Sequence, residues 1–256
     1  YLGRDAGQRV LSGRIARGVA ERIHAVLWFS DLRGYTGITD TAPPDEIIPL
    51  LNDYAETVIT AIQEQGGDVL KLIGDGTLAI FRADDASDAS VRALRAVMSM
   101  RAKVSELNER RRAEERPTST VYVGLHAGEV FFGNIGSVDR LDFTVVGPAV
   151  NEASRIASMC RSVDRPVLVS STFADALPAA ERAPLVSVGR FALRGVGLAA
   201  LGDVVAAATV QGAAVVPDHR VAHLPLVGIN VFVTGGVLHQ VFQEHAALRR
   251  GPSNDV

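Results

Sequence analysis

Asp31 follows the run AVLWFS, in which Ala25 to Phe29 are all apolar, and it leads into RGYTG with two glycines. A carboxylate at the end of a buried strand is costly to keep charged unless a cation or a set of donors answers it. Asp75 lies inside the GDG that separates two strand-like runs, DVLKLI (68–73) and TLAIF (77–81). That spacing predicts a tight hairpin with Asp75 at its tip. With the hairpin beside the first strand, both carboxylates meet at one end of a sheet. Two hard oxygen donors with few other ligands suit Mg2+, which keeps waters and takes its remaining ligands from substrate phosphates. The glycines and small residues after Asp31 let successive backbone N–H groups face an anion. Together these make a site for a metal-bound polyphosphate, although Asp75 taken alone is ordinary turn chemistry.

Two further pairs carry chemistry. Asn151 and Arg155 are four apart on a predicted helix, so they project from one face. Arg offers a fixed fork for phosphate oxygens, and Asn can position an oxygen or a ribose. Lys71 stands four residues before Asp75, on the same strand face if the hairpin is regular, and Thr144 lies on a strand just before another turn. A lysine can donate to adenine N1 and a threonine hydroxyl can accept from the exocyclic amine, whereas guanine presents an N–H at N1 and prefers a carboxylate; the pair therefore favours ATP over GTP. Without the rest of the pattern, Lys71 reads as a solvent-facing lysine and Thr144 as a strand former. His126, beside an expected hairpin bend, reads as a packed ring rather than a ligand.

The elements that must hold these groups follow from periodicity. A buried strand covers 25–30. PPDEIIPLLNDYAETVITAIQEQGG then places Ile47, Leu50, Leu51, Tyr54, Val58 and Ile62 at helical spacing, with Pro44, Asp45 and Glu46 in the first turn and Gly66 and Gly67 at the end. After the 68–81 hairpin, a long helix over roughly 87–113 carries Val91, Leu94, Val97, Met98, Val104 and Leu107 on one face, with its methionines as core filling. TVYVGLHAGEVFFGNIG (120–136) reads as a hairpin turning near Ala127–Gly128. FTVVG leads into a helix at 148–160 with Pro148 at its first position, followed by PVLVS, the short helix STFADAL and two short strand runs in LVSVGRFALRGV. This order predicts an α+β fold with a ferredoxin-like βαββαβ core, helices on one face, and extra C-terminal strands and helices.

Composition narrows the functional classes. The 256 residues are 47% hydrophobic, enough for a large core, and the net charge of -3 argues against a partner that is a nucleic acid polymer. Arg110, Arg111 and Arg112 alternate with glutamates nearby and read as a solvated helix end. The single Cys160 leaves no internal disulfide, in keeping with a reducing compartment. The chain opens on Tyr1, so residues 1–22 are expected to be a linker helix from an upstream region of the same polypeptide. Residues 23–203 form the expected catalytic domain and 204–256 a sparsely charged tail of uncertain structure. The uncharged stretch Val221–Gln243 is interrupted by His223, Pro225, Asn230, His239 and Gln240, and its continuous apolar part is too short to span a membrane.

FSDLRGYT, DVLKLIGDGTLAIF, VGLHAGEVFFGNIG and DFTVVGPAVNEASR, in this order, resemble the catalytic domain of the class III nucleotidyl cyclases over roughly residues 23–196. The resemblance implies that Asp31 and Asp75, with the carbonyl of Leu32, hold two ions per site, Mg2+ or Mn2+. It implies that Lys71 and Thr144 select the base, threonine occurring in a largely bacterial subgroup where many members carry aspartate. It further implies that the backbone of Arg33, Gly34, Tyr35 and Thr36 binds the triphosphate, with Arg194 a looser match. Asn151 would orient the ribose and Arg155 would stabilise the transition state. The expected activity is adenylate cyclase, ATP to 3′,5′-cyclic AMP and pyrophosphate, at sites shared across a head-to-tail homodimer under control of an N-terminal regulatory region. A guanylate cyclase and a catalytically silent nucleotide-binding module are the alternatives. The catalytic domain is expected in the cytoplasm, with membrane attachment through an upstream segment left open.

Overall fold

The computed structural model describes residues 20–137, 141–192 and 201–207. The strands are β1 (Ala20–Leu32), β2 (Asp68–Ile73), β3 (Gly76–Phe81), β4 (Val121–Gly136), β5 (Leu141–Val146), β6 (Val167–Ser170), β7 (Leu185–Ala192) and β8 (Leu201–Ala207). The helices are α1 (Tyr35–Thr41), α2 (Pro44–Glu64), α3 (Ala86–Ala113), α4 (Pro148–Ser162), α5 (Ser171–Ala176) and α6 (Ala179–Arg182). One sheet runs β2-β3-β1-β4-β6-β8-β7, and β5 pairs with β4. Its first four strands are antiparallel neighbours and, with α2 and α3, make the expected βαββαβ core. Strand β6 lies parallel to β4, the crossover made through α4.

Ala25, Val26, Leu27 and Trp28 are all buried because β1 is covered on both sides. Val26 and Trp28 pack with Leu50, Tyr54, Val58 and Ile62 of α2 and Val97 and Met100 of α3, as well as Phe173 of α5. Ala25 and Leu27 pack with Leu78, Ile80, Phe132, Ala149 and Ala153, under α4. The single layer of helices expected from the sequence is therefore corrected: α4 occupies the opposite face from α2 and α3. The indole N–H of Trp28 is satisfied by Ser30 Oγ at 3.0 Å.

The expected bend at Ala127–Gly128 is also corrected. Strand β4 runs unbroken for 16 residues, paired to β1 from Val121↔Leu32 to Gly133↔Ala20, and its hairpin partner is β5. Its glycines serve close approach rather than a turn. A Cβ on Gly124 would lie 2.3 Å from the Ala157 nitrogen, and one on Gly128 would lie 2.8 Å from Ala149 Cβ. Helix α4 thus lies directly on β4 and runs antiparallel to it.

Three smaller expectations change as well. Met98 is 52% exposed while Met100 fills the core. Residues 20–22 belong to β1 rather than to a linker helix, and the strand β8, unforeseen in the sequence, continues past residue 203. Arg111 is fully buried, not solvated: it donates from Nε to Pro117 O at 2.6 Å and pairs with Asp53 and with Glu46 (3.3 Å). The remainder of the linker and of the tail lies outside the described residues.

Candidate active site

The hairpin between β2 and β3 has a two-residue loop, Gly74–Asp75, and Asp75 stands at its tip as expected. What brings the tip to β1 is Gly76, opposite whose position the Ser30 carbonyl approaches so closely that a Cβ would lie 2.4 Å from the oxygen. The Leu32 backbone N–H then donates to Asp75 Oδ2 at 3.0 Å. Asp31 and Asp75 therefore stand side by side at one end of the sheet. Burial first, and then the charge of Asp75, push the Asp31 carboxyl up to about 6, with Arg161 of α4 opposing. Asp31 Oδ1 is buried and has no hydrogen-bond partner among the described residues.

This combination fits a divalent cation. An orphaned buried carboxylate oxygen, a second carboxylate beside it and the backbone of Leu32 make a hard oxygen donor set. Among the described residues no group of three or more His, Cys, Asp or Glu side chains could hold a metal alone. An ion at Asp31 and Asp75 would thus draw further ligands from water and phosphate, as Mg2+ does.

Beyond Leu32 the chain turns into α1, whose first turn is answered by no side-chain cap. The Arg33 guanidinium lies over the Tyr122 ring, 5.9 Å from its centroid, and 3.5 Å from Asp164. Tyr35 packs partly buried on the α2–α3 core, and the Thr36 carbonyl accepts from Thr39.

Lys71 departs from a regular hairpin, since the β2–β3 register shifts between Val69 and Lys71. Its ammonium is ion-paired to Asp142 of β5. Thr144 lies two residues farther along β5, on the same side of the strand, and is buried. Phe143 points the other way, packed edge-on against Phe132. The fold thus brings Lys71 and Thr144 to one place. Asp142, which sequence reasoning missed, joins them; only its spacing of two from Thr144 hinted at a shared side.

Asn151 is exposed near the start of α4. Arg155 follows one turn later, partly buried, with a buried Nε that has no hydrogen-bond partner among the described residues. The far end of α4 is fixed over β4 by Cys160, whose thiol lies 3.4 Å from the Val123 carbonyl. Burial, and with it the Asp31 charge, push that thiol up to about 12. Asp31 therefore sits near the C-terminal end of α4. At 1.5 Å per residue Asn151 lies about 13 Å back along the same helix. Within one chain the fold keeps Asn151 and the carboxylates at opposite ends of α4. Arg194 lies outside the described residues. His126 is a buried ring, as expected.

A family model described as the adenylate and guanylate cyclase catalytic domain matches residues 19–204. An adenylate cyclase of Anabaena cylindrica is 35% identical over 159 residues, 60% of this chain and 31% of that protein. The chain spans about a third of the length of the curated relatives it matches. Among solved structures, a bacterial light-regulated adenylyl cyclase superposes with a TM-score of 0.71 at 22% identity, over 82% of this chain and 60% of its own. The guanylyl cyclase Cya2 superposes with a TM-score of 0.61 at 27% identity, over 73% and 92%. With its βαββαβ core and paired carboxylates at the strand end, the chain belongs to the class III adenylate and guanylate cyclase catalytic-domain family.

Proposed function

We propose that this domain is an adenylate cyclase that converts ATP to 3′,5′-cyclic AMP and pyrophosphate. The ribose 3′-oxygen attacks the α-phosphorus, the bond to the β-phosphate oxygen breaks, and the 3′-hydroxyl proton is lost. The observation that carries the reading is the adjacency of Asp31 and Asp75, one of them with a buried oxygen that nothing among the described residues satisfies.

Asp31, Asp75 and the Leu32 carbonyl would hold Mg2+ or Mn2+, two ions per site. The chemistry such ions supply when bound is a lowered pKa for the 3′-hydroxyl and neutralisation of the triphosphate. The backbone of Arg33–Thr36 binds triphosphate oxygens, and Arg194 is a further contact for them. Lys71 donates to adenine N1 while Thr144 accepts from the exocyclic amine. Asn151 orients the ribose, and the Arg155 fork meets charge building on the α-phosphoryl group.

The active form is a head-to-tail homodimer in which each site takes its carboxylates from one protomer and its Asn151 and Arg155 from the other. Two features support this. One is the separation of Asn151 from the carboxylates along α4. The other is exposed apolar surface on the hairpin and on the β4–β5 arm, where Leu72, Ile73, Phe131, Ile135 and Val146 are 37–54% exposed. The test is product analysis of the purified domain with ATP and GTP side by side in Mg2+ and in Mn2+. Cyclic AMP as the main product supports the reading, and cyclic GMP as the main product overturns it.

A further inference from the structure

His126 lies on β4 with its ring turned toward the first turn of α4, and it is 5% exposed. The absent side chain of Gly128 makes room for it: a Cβ there would lie 3.0 Å from His126 Nε2 and 2.8 Å from Ala149 Cβ. Three elements meet the ring. Glu152 of α4 places Oε2 3.4 Å from Nε2, Thr172 of α5 places its hydroxyl 3.4 Å from Nδ1, and His24 of β1 is close enough to act on it electrostatically.

The Thr172 hydroxyl lies between the Ala127 carbonyl at 3.0 Å, Ser170 Oγ at 2.9 Å and His126 Nδ1, which ties the ring to β4 and α5. Burial keeps the ring neutral, pulling His126 down to about 4, and pushes the Glu152 carboxyl up. The neutral ring therefore meets α4 through the contact of Nε2 with Glu152.

Glu152 is the residue after Asn151. Asn151 itself is exposed. We propose that His126 is a positioning residue: through the contact of its Nε2 with Glu152 it fixes the rotation of the first turn of α4 and so aims Asn151 at the ribose. This rests on the reading of Asn151 given above. A helix turn anchored on a rigid strand beside the reacting group is the kind of support on which orientation depends.

The test uses the whole domain with saturating Mn2+ and compares Glu152→Gln with Glu152→Leu. The Gln amide can donate to Nε2 or accept from it, so kcat should stay within about twofold of the parent. Leu fills the space but makes no hydrogen bond, so kcat should fall roughly tenfold or more with KM for ATP little changed. A purely structural role would lower the melting temperature of the Leu variant without separating kcat from KM. Parent-like kcat in Glu152→Leu, or equal losses in both variants, overturns the proposal. Imidazole 15N shifts at pH 7 give an activity-free readout: a neutral ring whose Nε2 shift moves in Glu152→Leu supports the pair, and an imidazolium, or an Nε2 shift unmoved in that variant, overturns it. A parent domain that cyclises neither ATP nor GTP sinks the reading of the site and the role of Asn151 with it, and leaves the His126–Glu152 contact standing.

Discussion

Lys71 on β2 and Asp142 on β5 form an ion pair that joins two strands which do not pair with each other in the sheet. The contact fixes the ammonium beside Thr144, and a lysine so held still has two N–H donors to offer a base. Asp142 is 57% exposed and Lys71 30% exposed, so the pair is worth ~0.2–1 kcal/mol, enough to bias a flexible side chain but not to hold the fold. Asp142→Ala should lower kcat/KM for ATP about two- to fivefold and leave the melting temperature unchanged. Lys71→Ala should narrow the ratio of kcat/KM for ATP over GTP, because the donor proposed for adenine N1 is gone. An unchanged ratio in Lys71→Ala would remove Lys71 from base selection.

The strain at Asp31 gives a prediction whose sign is opposite for stability and activity. Its folded pKa is raised from 3.8 to about 6, so the folded state binds the proton more tightly than the unfolded chain. The carboxyl therefore contributes stability below about pH 3.8, and that contribution is lost as pH rises through 6. At pH 7 without metal the ionised group only opposes folding. Asp31→Asn should abolish cyclase activity and yet raise the metal-free melting temperature at pH 7, by ~2–4 °C for each kcal/mol relieved. The gain should vanish near pH 3.5. Mn2+ should stabilise the parent and not the variant, and thermal melts with and without the ion check all three.

How much of this was legible in the sequence depended on whether a feature was local. The α2 stripe Leu50, Tyr54, Val58 and Ile62 was readable because helical period and burial coincide along one element. The tip position of Asp75 was readable because a two-residue turn has its own residue chemistry. Gly128 misled because glycine marks a turn and a close approach alike, and only the helix arriving 20 residues later, with Ala149, decides between them. The Lys71–Asp142 pair depends on how β5 folds back toward β2, for which no local signal exists. Arg111 looked solvated among charged neighbours, and its burial is set by Asp53 and Glu46 on a different helix.

Arg111 is accordingly the stability anchor between α2 and α3. Removing it leaves Asp53 and Glu46 facing the gap, but both are about a quarter exposed and Glu46 keeps Arg116, so the cost falls below the ~3–5 kcal/mol of a fully buried pair. Arg111→Ala should shift the urea midpoint strongly downward. Arg110→Ala and Arg112→Ala, at exposed neighbours on the same helix end, should each stay within about 0.5 kcal/mol of the parent. Equal effects at all three positions would mean that Arg111 is not the buried member.

The placement of the reactive groups along α4 decides the last prediction. Asp31 lies by Cys160 and Arg161, while Asn151 lies at the other end of the helix. A chain that used its own Asn151 with its own carboxylates would have to span that length with one nucleotide. In a head-to-tail dimer the two halves come from different protomers, and each defect is confined to one half-site. Asp75→Asn and Arg155→Ala should each be nearly inactive alone. Mixed in equal amounts, half of the dimers are hybrids and each hybrid has one intact site of two, so cyclic AMP synthesis should recover to roughly a quarter of the parent rate. Lack of recovery in hybrids shown by sedimentation to be dimeric would mean that the metal carboxylates and Arg155 serve the same chain's site, and the shared-site arrangement would fall.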